Sequence, residues 1–163
     1  MKGRTFIITG PSGVGKGTII QELFARQPKL YFSVSATTRG PRPGEENGVH
    51  YHFISREQFE QWIQEDAFLE HAEYVGNCYG TPKKYVDEAM DRGEDVILDI
   101  EVQGAEQVYR KRPDAVRIFI APPSWEELEH RHTGRGTESA DKVRSRLARA
   151  KEEFHFAADY DYI

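Results

Sequence analysis

The sequence predicts a single α/β domain with a parallel-sheet core, and three apolar runs carry that expectation. Phe6-Ile7-Ile8 breaks at Gly10 and gives way to a helical period through Leu23 and Phe24. Val96-Ile97-Leu98 ends in Asp99, and Arg117-Ile-Phe-Ile-Ala121 ends at Pro122-Pro123. Short buried-strand signals separated by helical periods belong to sheets with crossover helices. A length of 163 residues, 38% hydrophobic and 30% charged, fits one globular domain with a modest core. Net charge is −5 and there is no long basic stretch, so no nucleic-acid partner is expected and phosphate affinity must come from local arginines. Cys78 is the only cysteine, which excludes an internal disulfide and a cysteine-based zinc cluster and fits a reducing, cytoplasmic setting. No apolar run approaches the roughly 20 residues of a membrane span. The first strand follows Met-Lys-Gly-Arg at once, so no leader peptide is expected. The oligomeric state is left open.

Between the first strand and the first helix lies Gly10-Pro11-Ser12-Gly13-Val14-Gly15-Lys16-Gly17-Thr18. Its Gly-x-x-x-x-Gly-Lys core is the pattern of a phosphate-binding loop. Glycines let the backbone curl until successive N–H groups face one anion, and the new helix adds the positive end of its dipole. Lys16 brings a mobile positive charge to the β- and γ-phosphates of a nucleotide. The pattern asks for Ser or Thr directly after the lysine. Here Gly17 intervenes before Thr18, which favours ligation of Mg²⁺ by the hydroxyl through water. The bland alternative is a glycine-rich turn, and the flanking strand, helix and lysine argue against it.

Gln27-Pro28-Lys29 ends the first helix, and residues 30–35 read as a second strand. Residues 36–48 hold two prolines, three glycines and two arginines, which predicts a loop. Loops of that length in compact domains are functional or disordered. Arg39 and Arg42, three apart in a Pro/Gly frame, favour function over a merely solvated loop. Residues 49–54 alternate as a strand, and Ser55 caps a helix whose Phe59, Trp62 and Ile63 face the core. Residues 68–74 and 76–80 read as short strands around a turn. Thr81-Pro82 opens a helix with proline at its first position, Val86, Ala89 and Met90 buried, and Gly93 as its stop.

Asp99 falls at the C-terminal end of its strand, where open α/β sheets bind ligands. With the first strand as parallel neighbour it arrives beside the phosphate loop, as the acidic partner for Mg²⁺ or its water shell. The competing reading is a cap for the helix from Val102. Ser124 caps a helix through Leu128, residues 131–137 read as a basic, glycine-interrupted loop, and Ser139 starts a polar helix with Val143, Leu147 and Ala150 on one side. Arg131 and Arg135, with Arg144, Arg146 and Arg149, suit a mobile lid that brings positive charge to a transition state. Arg144 and Arg149 read better as members of an exposed, salt-bridged helix. Tyr160-Asp-Tyr-Ile163 begins a further strand against residues 117–121.

Several strings together resemble the bacterial guanylate kinases over essentially the whole chain. They are the phosphate loop, Ser33-Val-Ser35-Ala-Thr-Thr-Arg39-x-Pro-Arg42-x-Gly-Glu45, Asn47-Gly48-x-x-Tyr51, Phe68-Leu-Glu70, Tyr79-Gly-Thr81, Ile97-Leu-Asp99-Ile-Glu101-Val-Gln-Gly104 and Arg131-x-x-x-Arg135-Gly-Thr137. The resemblance implies a P-loop kinase fold with a core (1–32, 94–123 and 147–163), an inserted GMP-binding segment (33–93) and a lid (124–146). It implies transfer of the γ-phosphoryl group of ATP to GMP or dGMP, with Mg²⁺, in cytoplasmic purine metabolism. It places ATP on residues Gly10 to Thr18, and catalytic charge on Lys16, Arg39, Arg131, Arg135 and Arg146. It gives the GMP phosphate to Arg39, Arg42, Tyr51 and Tyr79, and the base to Ser35, Glu70 and Thr81 with Glu101 contributing, and it counts Asp99 among the GMP-binding residues. Thr18 and Asp99 would face the metal through water. The chemistry is consistent: guanine N1–H and N2–H₂ donate to a carboxylate such as Glu70, and O6 accepts from hydroxyls such as Ser35 and Thr81.

Three positions depart from the family's pattern. Glu101 stands where many relatives have aspartate. His132 stands where leucine is usual, which predicts looser packing and no catalytic meaning. Cys78, where an aromatic residue is common, reads as a small packing residue. The family also continues beyond Ile163 with the rest of a strand, an adenine-contacting loop and a closing helix. A longer natural protein is therefore expected, with the strand at 117–121 partly uncovered at Ile118 and Ile120 or at Phe119. Guanylate-kinase-like domains also serve as catalytically silent scaffolds that grip phosphorylated partners. A scaffold has no need of Lys16, a complete phosphate loop, Arg131 and Arg135, and their presence favours the enzyme.

Overall fold

The computed structural model describes residues 1–133 and 139–163. Its first sheet is parallel throughout and runs β2 (Tyr31–Phe32), β7 (Val96–Asp99), β1 (Thr5–Thr9), β8 (Val116–Phe119). Side chains alternate along a strand, so Ile7 and Ile8 enter different clusters. Ile7, Val96, Leu98 and Phe119 pack on α3 (Lys83–Asp91) and α4 (Val102–Lys111) through Val86, Ala105 and Val108. Ile8 and Ile97 pack on the other face against Ile20 and Leu23 of α1 (Lys16–Arg26). Helices on both faces explain why these strands read as continuous apolar runs rather than as alternating ones.

The second sheet is mixed and runs β4 (His52–Phe53), β3 (Ala36–Thr37), β6 (Asn77–Pro82), β5 (Phe68–Tyr74). Its core joins Phe68 to Phe59 and Trp62 of α2 (Arg56–Gln64), with Phe59 and Phe68 centroids 4.5 Å apart, and Cys78 fills a small space beside them. Ser55 caps α2 as expected, accepting from the Gln58 N–H, while Ile63 turns out to be exposed. Two further helices, α5 (Trp125–Thr133) and α6 (Ala140–His155), pack together, and α6 leads into a 3₁₀ turn at Phe156–Asp159. No helix among the described residues is long and apolar enough to cross a membrane.

Several boundaries differ from expectation. Residues 30–35 do not form one strand. The chain pairs with β7 through Ser33, whose N–H donates to the Ile97 carbonyl, and then crosses to the second sheet, so Ala36 and Thr37 belong to β3 rather than to the loop. The strand expected at 49–54 shrinks to β4, because Gly48 turns the chain at φ 82° and its N–H closes onto the Tyr51 carbonyl. Pro82 ends β6 and caps α3 instead of opening it, while Gly93 does follow the helix in the left-handed region. The helix expected to stop at Leu128 continues to Thr133, with Glu126 and Glu127 in its first turn and His130, Arg131 and His132 in its last, both favourable to its dipole. Arg131 therefore lies on a helix, not in a loop. Tyr162 pairs beside Ile118 in parallel, as expected for the last segment. Phe119 is buried under Phe154 and Tyr160, whereas Ile118 and Ile120 are partly covered.

Candidate active site

β1 ends at Thr9 and α1 starts at Lys16, and the chain between them wraps a cavity of about 350 Å³ lined by every residue from Gly10 to Thr18. Gly13 and Gly15 turn the loop at φ 83° and 95°, which side chains rarely adopt. Gly15 caps α1 without a side-chain bond, which leaves first-turn N–H groups for an anion. The register Ile8↔Asp99 carries Asp99 to the rim of this loop, where Lys16 Nζ lies 2.7 Å from Asp99 Oδ1. The cap of α4 is Glu101, so Asp99 does not serve the capping alternative.

The second sheet supplies the other half. A cavity of about 490 Å³ is lined by Ser35, Tyr51, Glu70, Tyr79, Asp99 and Glu101 among others. Glu70 and Thr81 are partners across β5 and β6, and Thr81 Oγ1 donates to Glu70 Oε1 at 2.7 Å. Thr81 has one proton to give. Here it goes to Glu70, while Ser35 lines the same cavity. Burial pushes the Glu70 carboxyl up, the Thr81 hydrogen bond opposes this, and the charge of Glu101 adds to the rise.

Arg39 makes a bidentate pair with Glu45, at 2.9 and 3.0 Å, and its guanidinium lies 5.2 Å from the centre of the Tyr51 ring. Those bonds, with the Arg42 N–H also donating to Glu45, hold the Glu45 carboxyl down at about 2. The Arg42 side chain is exposed on the loop. Neither arginine is among the residues lining the cavity around Glu70.

On α5, Arg131 donates from Nη1 to the Val14 carbonyl at 2.9 Å and from Nε to Glu127 at 3.1 Å. Arg146 is partly buried on α6. Arg135 lies outside the described residues. Arg144 pairs locally with Asp141, as expected for an exposed helix. Arg149 pairs with Glu153 one turn on at 3.4 Å, as expected for an exposed helix, and also reaches Glu101 at 3.2 Å.

The family model for guanylate kinase matches residues 2–163. The chain belongs to the guanylate kinase family. It is 51% identical to a guanylate kinase of Synechococcus sp. (strain JA-3-3Ab) over 162 residues, covering 99% of this chain and 75% of that one. It is 55% identical to one of Rubrobacter xylanophilus over 160 residues, covering 98% and 84%. The crystal structure of guanylate kinase from Anaplasma phagocytophilum superposes with a TM-score of 0.70 at 34% identity, covering 99% of this chain and 75% of that one.

Within this guanylate kinase, some residues at the site were not legible as such. Glu45 stood in a motif without a role, and its signal was an acid placed to close a ring back onto two arginines. Gly104 approaches so closely that a Cβ there would lie 3.2 Å from Glu70 Oε2. Gln107 exchanges two hydrogen bonds with the His71 backbone and ties α4 to β5. His132 does not pack loosely. It is 1% exposed, and its Nε2 lies 2.6 Å from the Ser12 carbonyl oxygen.

Proposed function

We propose that this guanylate kinase runs its reaction, ATP + GMP giving ADP + GDP, across Asp99. The observation that carries this division of labour is that Asp99 both pairs with Lys16 of the phosphate loop and lines the cavity of Glu70. The loop N–H groups take the ATP phosphates, and Lys16 leaves Asp99 to reach the β- and γ-oxygens. The pair is accessible enough for that exchange, with side chains 22% and 30% exposed. Glu70 accepts from guanine N1–H and N2–H₂, and Ser35 donates to O6. Adenine would leave these groups unpaired, at about 1–3 kcal/mol each. Arg39, Arg42, Tyr51 and Tyr79 hold the GMP phosphate, and dGMP fits because no residue named here reads the 2′-hydroxyl.

Among the described residues no cluster of three or more His, Cys, Asp or Glu could hold a metal by itself. A lone Asp99 carboxylate with the exposed Thr18 hydroxyl still suits Mg²⁺, which takes few protein ligands and keeps waters and phosphate oxygens. When bound, Mg²⁺ neutralises charge on the β- and γ-phosphates, and Asp99 and Thr18 would hold its water shell. No general base is needed, because the attacking GMP phosphate oxygen is already anionic. The chain's own contribution is positioning and positive charge from Lys16, Arg39, Arg131, Arg135 and Arg146. The reaction belongs to cytoplasmic purine metabolism, with no membrane or nucleic-acid partner.

ADP formation from ATP, measured with GMP, AMP, CMP and UMP side by side, tests the reading. GMP should be preferred, and Lys16→Ala should lower its turnover about a hundredfold or more. Equal rates with AMP, or wild-type turnover in Lys16→Ala, would overturn it.

A further inference from the structure

We infer that His132 is a positioning residue for ATP, aiming the phosphate loop from the lid helix. The inference rests on the assignment of ATP to that loop.

A carbonyl oxygen only accepts, so the 2.6 Å contact to Ser12 requires the proton on His132 Nε2. The neighbouring Arg131 donates to the Val14 carbonyl at 2.9 Å. Two consecutive residues of α5 thus grip alternate carbonyls of one loop. In a trans peptide the C=O and the following N–H point in opposite directions. Holding the Ser12 carbonyl toward α5 therefore turns the Gly13 N–H away from it, and holding Val14 does the same for Gly15. Gly13 and Gly15 both line the phosphate cavity. The fit is close, since a Cβ on Gly13 would lie 2.7 Å from the His132 ring.

The two grips differ in kind. Arg131 is 38% exposed and shared with Glu127, so its hold on Val14 is the one that a swing toward the transferring phosphoryl group would break. His132 is buried, and its Nδ1 has no hydrogen-bond partner among the described residues. The ring therefore has one productive orientation, with Nε2 toward Ser12. It keeps α5 on the loop when Arg131 lets go.

The test compares wild type with His132→Leu, which fills the space without a donor, and His132→Gln, whose side-chain N–H₂ reaches about as far as Nε2. His132→Leu should raise the KM for ATP about five- to tenfold, the loss expected for one buried hydrogen bond. The KM for GMP should stay within about twofold, and His132→Gln should recover most of the loss. An unchanged ATP KM in a folded His132→Leu overturns the inference. So does a parallel rise in both KM values, or a His132→Gln no better than His132→Leu.

Should His132→Leu fail to fold, long-range ¹H–¹⁵N imidazole spectra of the wild type decide independently of activity. The Nε2-protonated tautomer supports the grip on Ser12, and the Nδ1-protonated tautomer overturns it. Failure of the wild type to phosphorylate GMP would instead remove the underlying assignment and leave the tautomer result standing.

Discussion

At Glu70, the proposed recognition of guanine and the stability of the fold pull in opposite directions. The base needs an ionised carboxylate, while burial favours the protonated one and raises its pKa above the ordinary 4.5. A group raised in the folded state stabilises it below the unfolded value, and that contribution is lost as pH climbs through the raised one. Glu70→Gln removes the titration but keeps an oxygen for the Thr81 hydroxyl. In the ligand-free enzyme, the variant should therefore gain in melting temperature relative to wild type as pH rises above 4.5. The same change presents a donor to guanine N1–H or N2–H₂, so the KM for GMP should rise while that for ATP stays near normal. Melting curves at several pH values with paired KM determinations check both. An unchanged GMP KM would remove Glu70 from the base site, and a variant that loses ground as pH rises would show that the folded state favours the ionised carboxylate instead.

At the scale of elements, the segment from Thr38 to β4 is a loop organised by one carboxylate. Glu45 binds both Arg39 nitrogens and the Arg42 N–H, and Asn47 accepts from the Phe53 N–H. Glu45→Ala should free Arg39 from its place over Tyr51 and raise the GMP KM severalfold, with ATP little affected. The sign with pH is opposite to that of Glu70. A carboxylate depressed to about 2 stabilises above its ordinary 4.5, and that stability drains away as pH falls toward 2. The gap in melting temperature between wild type and Glu45→Ala should narrow as pH drops below 4.5, and a gap that widens there would rule out the ion pair as its source.

Elements and site residues were legible where chemistry and neighbourhood are local in sequence. The phosphate loop is one contiguous string, and a single parallel register then delivers Asp99. Residues 30–35 misled because an apolar run does not say which of two sheets it joins. The end of α5 misled because Arg131-His132-Thr133 is polar, and what holds it is the Glu127 pair and a grip on the loop. His132 and Ser12 are 120 residues apart, and no local pattern announces such a contact.

At the scale of the whole molecule, three cations each start from a partner within the protein. Arg39 is satisfied by Glu45 within the loop before β4, Arg131 by Glu127 of α5 and by Val14 of the phosphate loop, and Lys16 by Asp99 at the end of β7. On the proposed assignment, Lys16 and Arg131 each hold a partner to be traded for phosphate, and the trade is favourable only if both reach one water-poor phosphate chain, while Glu45 keeps Arg39 in place beside Tyr51. The chain passes from the first sheet to the second between Ser33, whose N–H donates to Ile97, and Ala36 of β3, and a bend there would carry the second sheet toward the core. We therefore expect the segment 33–93 and the lid 124–146 to close on the core when both substrate sites fill. In X-ray scattering, a bisubstrate analogue joining adenosine and guanosine through phosphates should reduce the radius of gyration more than GMP alone. Hydrogen exchange should slow in α5 and in residues 38–51. Tight binding of the analogue with neither compaction nor protection would mean that the cations reach phosphate from where they already stand.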